Sequence, residues 1–366
     1  MENKILTFAR SLPEHRMDRK KLHLAEDIVY ITLAAVICGA DTWEDISDFG
    51  TAKEDFLKGT LSLKHGIPSP DTFNRFFAGL SPVVFESNFI SWVKGLCSKN
   101  TGVVAIDGKT VRGSRKEGNK SAIHMVSAFA AANGLVLGQV KTNQKSNEIT
   151  AIPELLKVLD IEGCIITIDA MGCQTKIARG IVEKGADYIL AVKDNQKELH
   201  AGIVDTFRFA QKNKMISHED VDAGHGRVET RVCTVTDDLS MLSGAENWQG
   251  INALVKIESS RFIKFSGETQ CETRYYITSC KPNPESLGNA VRSHWAIENK
   301  LHWQLDVSFG EDKSRKRDRN AAENYSVILR MALNIIKNEK SSKRGVKGKR
   351  LKAGWDNEYL MKLLDF

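Results

Sequence analysis

The chain has 366 residues, of which 42% are hydrophobic, 27% charged and 7% aromatic, with seven prolines and 27 glycines. That is material for two or three domains with real cores, and it excludes a collagenous or broadly disordered chain. The net charge of +6 is unevenly spread: Lys313 to Lys352 holds fourteen basic residues against three acidic ones, which leaves the remainder net acidic.

A smaller basic island comprises Lys109, Arg112, Arg115, Lys116 and Lys120. Both islands suit either a polyanionic partner or a solvated surface. The seven cysteines form no C-x-x-C pair and are odd in number, which suggests a reducing compartment. The N-terminus lacks the apolar run of a secretory signal. The most apolar stretch, 28–40, is too short to span a bilayer, which takes about 20 residues, so no membrane partner is expected.

Residues 1–99 read as a helical domain. Leu24, Ile28, Ile31 and Ala35 recur at helical spacing, Thr42 and Asp45 have the spacing of a helix start, and Ser69-Pro70-Asp71 opens another helix carrying Phe73, Phe76, Phe77 and Leu80. This is either a plain bundle or a DNA-end-binding module, which Arg75 and the cluster Arg16–Lys21 would serve.

At residue 101 the pattern changes to β. A buried run, 102–107, ends on Asp107; runs 123–130 and 135–141 flank Ala-Ala-Asn-Gly, a hairpin signal. A helix over 147–159 follows, then a buried strand, 164–169, ending on Asp169, a helix over 175–184 and a strand over 188–192. The order β-β-β-α-β-α-β predicts an antiparallel meander extended by two parallel strands. If the strands ending on Asp107 and Asp169 are neighbours, their carboxylates converge at one end of the sheet, where open α/β sheets keep their sites. Either aspartate alone is more ordinarily a capped turn.

Residues 201–285 read as a mostly β insertion, with strands near 218–222, 227–237, 253–258 and 273–279. A helix over 286–306 follows, on which His294, Glu298, His302 and Asp306 recur every four residues as a polar ridge. Val291, Trp295, Ile297, Leu301 and Leu305 are its apolar flanks. Another helix spans 321–338, and 341–366 reads as a basic tail. The expected division is therefore 1–99, 100–200, 201–285, 286–340 and 341–366.

Three carboxylates from two strand ends and a helix suit two Mg²⁺ ions, with Mn²⁺ as a substitute, because Mg²⁺ takes oxygen ligands and keeps several waters. Two such ions clamp the attacking and leaving oxygens of a phosphoryl displacement. A zinc hydrolase using His294, Glu298 and His302 is the enzymatic rival, but it lacks H-E-x-x-H spacing and gives Asp107 and Asp169 no role.

The segments AIDGKTVRGS (105–114), TIDAMGCQ (167–174), AVKDNQK (191–197), GHGRVETR (224–231), RYYITS (274–279) and HWAIENKLHWQLDVSFGED (294–312) together resemble DDE transposases of bacterial insertion sequences, in particular the ISAs1-type group of the IS4-like class. The resemblance covers nearly the whole chain. It implies an RNase H-like α/β catalytic domain interrupted by a β insertion, with Asp107, Asp169 and Glu298 as the metal-binding triad. It implies double-stranded DNA as partner (terminal inverted repeats and target), a homodimer on DNA and a cytoplasmic, nucleoid-associated location.

The resemblance also suggests DNA contacts by Lys109, Arg112, Lys193, Asn195, Gln196, Arg227, His294, Arg315 and Arg317. The wider class carries Y-x-x-R-x-x-x-E-x-x-x-x-x-x-K around its Glu; here Val291, His294 and Leu305 stand at the other three positions. Arg292, His302 and Trp303 are candidates for the same work from shifted positions. An alternative is a descendant that binds DNA without catalysis.

Overall fold

The computed structural model describes residues 3–18, 21–96, 102–115, 122–142, 148–209, 211, 214–224 and 226–365. Arg19, Lys20, Cys97, Lys116, Lys120 and Asn147 lie outside the described residues.

Six helices come first: α1 (Lys4–Arg10), α2 (Ala25–Cys38), α3 (Trp43–Ala52), α4 (Glu54–Lys58), α5 (Pro70–Gly79) and α6 (Pro82–Lys94). Their ends follow local chemistry. Thr42 and Asp45 form the reciprocal capping box at the start of α3. Pro70 opens α5, where a missing N–H costs nothing. Helix α2 is buried along nearly its whole length, so it sits inside the helical layer.

The sheet follows. Strands β1 (Gly102–Thr110), β2 (His124–Ala130) and β3 (Leu135–Thr142) form the expected meander; Gly134 supplies the positive φ, +69°, that closes the β2–β3 turn. Then come α7 (Glu148–Val158), β4 (Cys164–Ile168), α8 (Thr175–Glu183), β5 (Asp187–Val192) and α9 (Lys197–Phe209). Strand β4 lies parallel to β1 in the register Gly102–Cys164 to Ile106–Ile168, and β5 lies parallel to β4.

Strands β6 (Ile216–Gly224), β7 (Arg227–Thr236), β8 (Ala253–Ile263) and β9 (Thr269–Thr278) do not form a sheet of their own. Strand β9 pairs antiparallel with β5, Ile189 opposite Thr278, giving one nine-stranded sheet in the order β3-β2-β1-β4-β5-β9-β8-β7-β6. The β pattern also starts later than expected, since α9 occupies 201–209.

The chain then forms α10 (Pro284–His294), a π-helical turn (Glu298–His302), α11 (Trp303–Val307), α12 (Ala321–Asn338), α13 (Val346–Trp355) and α14 (Asn357–Leu364). The single helix expected over 286–306 is thus interrupted, and the π turn falls on the segment that carries the Glu; such insertions recur at functional sites. Where a basic tail was expected, α13 and α14 bury Ala353, Tyr359, Leu360, Leu363 and Leu364. This apolar repeat is hidden in the sequence by the lysines around it. Helices α12, α13 and α14 pack on α2, and one hydrophobic core runs from Ile5 through the sheet to Leu364. Both chain ends therefore build the layer that covers one face of the sheet.

Candidate active site at the sheet end

Strand β1 buries Val104, Ala105 and Ile106 and β4 buries Ile166, Thr167 and Ile168. Their parallel pairing stops at Ile106 and Ile168, so Asp107 and Asp169 emerge side by side. Strand β1 itself continues to Thr110 beside β2, three residues further than expected. Asp169 also serves as a turn cap: its Oδ1 accepts from the N–H groups of Met171, at 3.1 Å, and Gly172, at 3.4 Å. The capping and converging readings of this aspartate both hold.

Glu298 reaches the same place from the π turn, with a carboxylate oxygen within 4.8 Å of one of Asp107. Burial, followed by the negative charge of Glu298, pushes the Asp107 carboxyl well above the usual carboxylate range. Glu298, more exposed and beside His302, is held below its ordinary value. Among the described residues, Asp107, Glu298 and His302 are the group whose donor atoms all lie within 4.8 Å of one another. Two carboxylates and an imidazole are a donor set that fits a divalent cation.

The remaining ridge residues tie this helical segment to the sheet. His294 Nδ1 lies 3.0 Å from Thr167 Oγ1, two residues before Asp169, and burial drives its pKa down to about 4. Asp306 accepts the Lys109 ammonium at 2.7 Å. Ile297, Leu301 and Leu305 are buried as expected, but Trp295 and Trp303 are 45% and 53% exposed. Trp295 lies under the Arg274 guanidinium, 4.8 Å from its ring centre.

Several residues expected to touch DNA are engaged within the protein. Lys109 is buried among Asp306, Asp312 (3.0 Å) and Glu311 (3.6 Å), and so offers no free charge to a phosphate. Asn195 Nδ2 donates to the Ala170 carbonyl at 2.7 Å, and Gln196 Nε2 to the Cys173 carbonyl at 2.9 Å; both brace the turn that follows Asp169. Arg317 donates to the Gly113 carbonyl. His302 is buried in the carboxylate cluster.

Lys193, Arg315 and Trp303 are exposed, and Arg112 is exposed beside Asp312. Arg227 and Arg292 meet in a groove of about 830 Å³ between α10 and strands β6–β9. Arg231, Arg261, Arg274 and Lys300 also line it, balanced in part by Asp220, Glu229, Glu272 and Glu285. Arg292 is paired there with Asp220 (2.8 Å) and Asp222 (2.5 Å).

Two arrangements escaped sequence reasoning. The Lys109 cage continues through Glu311 to the fully buried Arg330, 2.7 Å away. Period-two alternation along β1, which puts residues 107 and 109 on one face, is the signal that could have revealed it. On the other face His124 Nε2 lies 2.6 Å from Glu148 Oε1, both fully buried beside Gly108. A histidine at the start of the mostly apolar strand HMVSAFA was the available hint.

Residues 98–335 match the family described as Transposase DDE domain, and residues 6–93 match the one described as DDE_Tnp_1-associated. The chain belongs to the DDE transposase family. This transposase is 43% identical over 370 residues to YbfL of Escherichia coli K12 and 42% identical to the "H repeat-associated putative transposase YhhI" of the same strain; each alignment covers 99% of this chain and 97% of the relative. A protein from the dhlA 3′ region of Xanthobacter autotrophicus is 39% identical over 76% of this chain and 95% of its own. Among solved structures, a piggyBac transposase synaptic complex with hairpin DNA aligns at a TM-score of 0.45 and 11% identity, covering 99% of this chain and 77% of that one. The family uses divalent metal ions, in agreement with the donor set at the sheet end. No single helix among the described residues is long and apolar enough to cross a membrane.

Proposed function

We propose that this transposase, of the ISAs1-type group, cleaves DNA strands at the ends of its insertion element and joins the freed 3′-hydroxyl to target DNA. The catalytic residues in this reading are Asp107, Asp169 and Glu298, on an RNase H-like core formed by β1–β5. The observation that carries it is that Asp107 and Asp169 follow the ends of adjacent parallel strands while Glu298 joins Asp107 from one helical turn.

Asp107 and Glu298 would hold one divalent cation between them and Asp169 would complete the site for a second, with Mg²⁺ as the ordinary ion and Mn²⁺ as a substitute. When bound, these ions supply Lewis acidity toward the attacking and leaving oxygens of the phosphodiester. The chain's own contribution is positional. Asn195 and Gln196 fix the turn after Asp169, His294 fixes the end of α10 to β4, and Lys109 joins β1 to the segment after Glu298.

Burial first, and then the negative charge of Glu298, raises Asp107, and a bound cation would offset both. The groove of Arg227, Arg231, Arg261 and Arg274, with exposed Lys193, Arg112 and Arg315, supports double-stranded DNA as partner. Two such chains would hold two ends as a homodimer in the cytoplasm, at the nucleoid.

The test is incubation of the purified chain with Mg²⁺ and labelled DNA carrying the repeats that flank its gene. Nicks at the repeat termini are expected. Tight binding with no nicking in either Mg²⁺ or Mn²⁺ would make the protein a DNA-binding descendant instead.

A further inference from the structure

The donor cluster includes a group that lies outside the aspartate–aspartate–glutamate triad. His302 is 5% exposed. Its Nδ1 lies 3.3 Å from Glu298 Oε2 and 3.5 Å from Asp107 Oδ2. These are not the separations of an imidazole held by a strong hydrogen bond, which for charge-assisted N–H···O contacts run at about 2.7–2.9 Å. The same chain provides the contrast in His124 and Glu148, at 2.6 Å.

The His302 distances lie within or just beyond the edge lengths of a coordination polyhedron. Two donors bonded at about 2.1 Å to one ion, with an angle of about 90–110° between them, stand roughly 3.0–3.4 Å apart. The far nitrogen, Nε2, is buried with no hydrogen-bond partner among the described residues, so the hydrogen-bonding company of the ring there is the two carboxylates. Leu301 and Leu305, both fully buried, hold the segment that carries it.

We propose that His302 is a donor, through Nδ1, to the cation held between Asp107 and Glu298, and that this nitrogen makes the site favour Mn²⁺ over Mg²⁺. Mg²⁺ is a hard ion with a strong preference for oxygen, whereas affinity for imidazole rises along the first-row transition metals. The inference rests on the reading that Asp107 and Glu298 hold a divalent cation. It adds one bond to that reading and, for this ion, puts Mn²⁺ ahead of Mg²⁺ in affinity.

The test needs neither DNA nor turnover. Mn²⁺ and Mg²⁺ are titrated calorimetrically into the full-length wild-type chain and into His302→Ala, His302→Gln and Asp107→Asn. Nitrogen coupling to bound Mn²⁺ is read in parallel by pulsed electron paramagnetic resonance. Wild type should bind Mn²⁺ more tightly than Mg²⁺ and display a nitrogen coupling.

His302→Ala should lose that coupling and lose Mn²⁺ affinity by no less than the roughly 10–100-fold typical of removing a supporting partner, with a much smaller change for Mg²⁺. His302→Gln, which offers an oxygen, should narrow the preference without abolishing binding. No nitrogen coupling in wild type overturns the proposal even if both His302 variants fail to fold. Equal loss for the two metals, or a gain for both, also overturns it. Should Asp107→Asn leave Mn²⁺ binding unchanged, the underlying carboxylate site is what fails; if that variant loses binding while wild type gives no nitrogen coupling, only the histidine's part fails.

Discussion

The sheet end and the C-terminal segment are both rich in charge, and they dispose of it in opposite ways. At the sheet end, Asp107, Asp169 and Glu298 are brought toward one another, and the lysine that follows, Lys109, is turned away to Asp306, Glu311 and Asp312. Between Lys313 and Lys352 four cations, Lys316, Arg330, Lys349 and Arg350, turn inward. Arg330 is fully buried on Glu311, Lys349 donates to the Ile336 carbonyl and Arg350 to the Val36 carbonyl while lying 4.3 Å from the Phe309 ring centre.

Lys316 bonds the Asp41 carbonyl and lies 3.8 Å from the Tyr325 ring centre, where burial lowers its pKa to about 8. These contacts tie α12 and α13 to the N-terminal helices. A run of like charge in a sequence therefore says little about a partner until burial is known. A short cluster of acids converging at a sheet end says much more.

The largest effect that separates the two regions is on chemistry. Glu298→Ala should reduce strand cleavage below detection and leave the folding transition nearly unmoved, because this carboxylate is exposed and packs little; cleavage assays beside thermal melts would check both halves. Substantial residual cleavage would remove Glu298 from the site.

Next comes stability. Lys109→Met removes the buried cation shared by Asp306, Glu311 and Asp312 and should cost about 3–5 kcal/mol by denaturant unfolding, while Lys109→Arg should cost less. A loss below about 1 kcal/mol would mean that the cage is solvated and does not hold β1 to the Glu298 segment.

A smaller loss, about 1–3 kcal/mol, is expected for Gly108→Ala, whose new methyl would run into the His124–Glu148 pair. Unchanged stability there would show that the pair can move aside.

The smallest stability effect tests the other region. Lys343, Arg344 and Lys347 are exposed, so replacing all three by Ala should change stability by no more than about 0.5 kcal/mol. If they meet phosphates, the slope of log affinity for DNA against log salt should fall by roughly 0.9 for each phosphate no longer neutralised. An unchanged slope would assign DNA binding to the arginine-lined groove alone.

What could be read from the sequence follows the same division. Buried parallel strands are continuous apolar runs ended by a polar residue, so Asp107 and Asp169 could be located from pattern alone, while their side-by-side placement depended on the two strands being neighbours. Glu298 could be found because four polar residues at a spacing of four interrupt an otherwise packing helix. Its π turn could not, since the extra residue changes hydrogen bonding without changing residue type.

Nor could the joining of β9 to β5, because an antiparallel addition to a sheet edge leaves no spacing rule between distant strands. The inward turn of Lys109, Lys316 and Arg350 was hidden for a different reason. A long basic side chain carries the same letter whether it ends in water or against a carbonyl.

The most direct test of the central claim is strand cleavage by Asp169→Ala, measured beside its binding to the same labelled element-end DNA in Mg²⁺. The account predicts end binding close to wild type and no cleavage. Cleavage at a rate near wild type, with binding intact, would contradict the assignment of the sheet end as the catalytic centre.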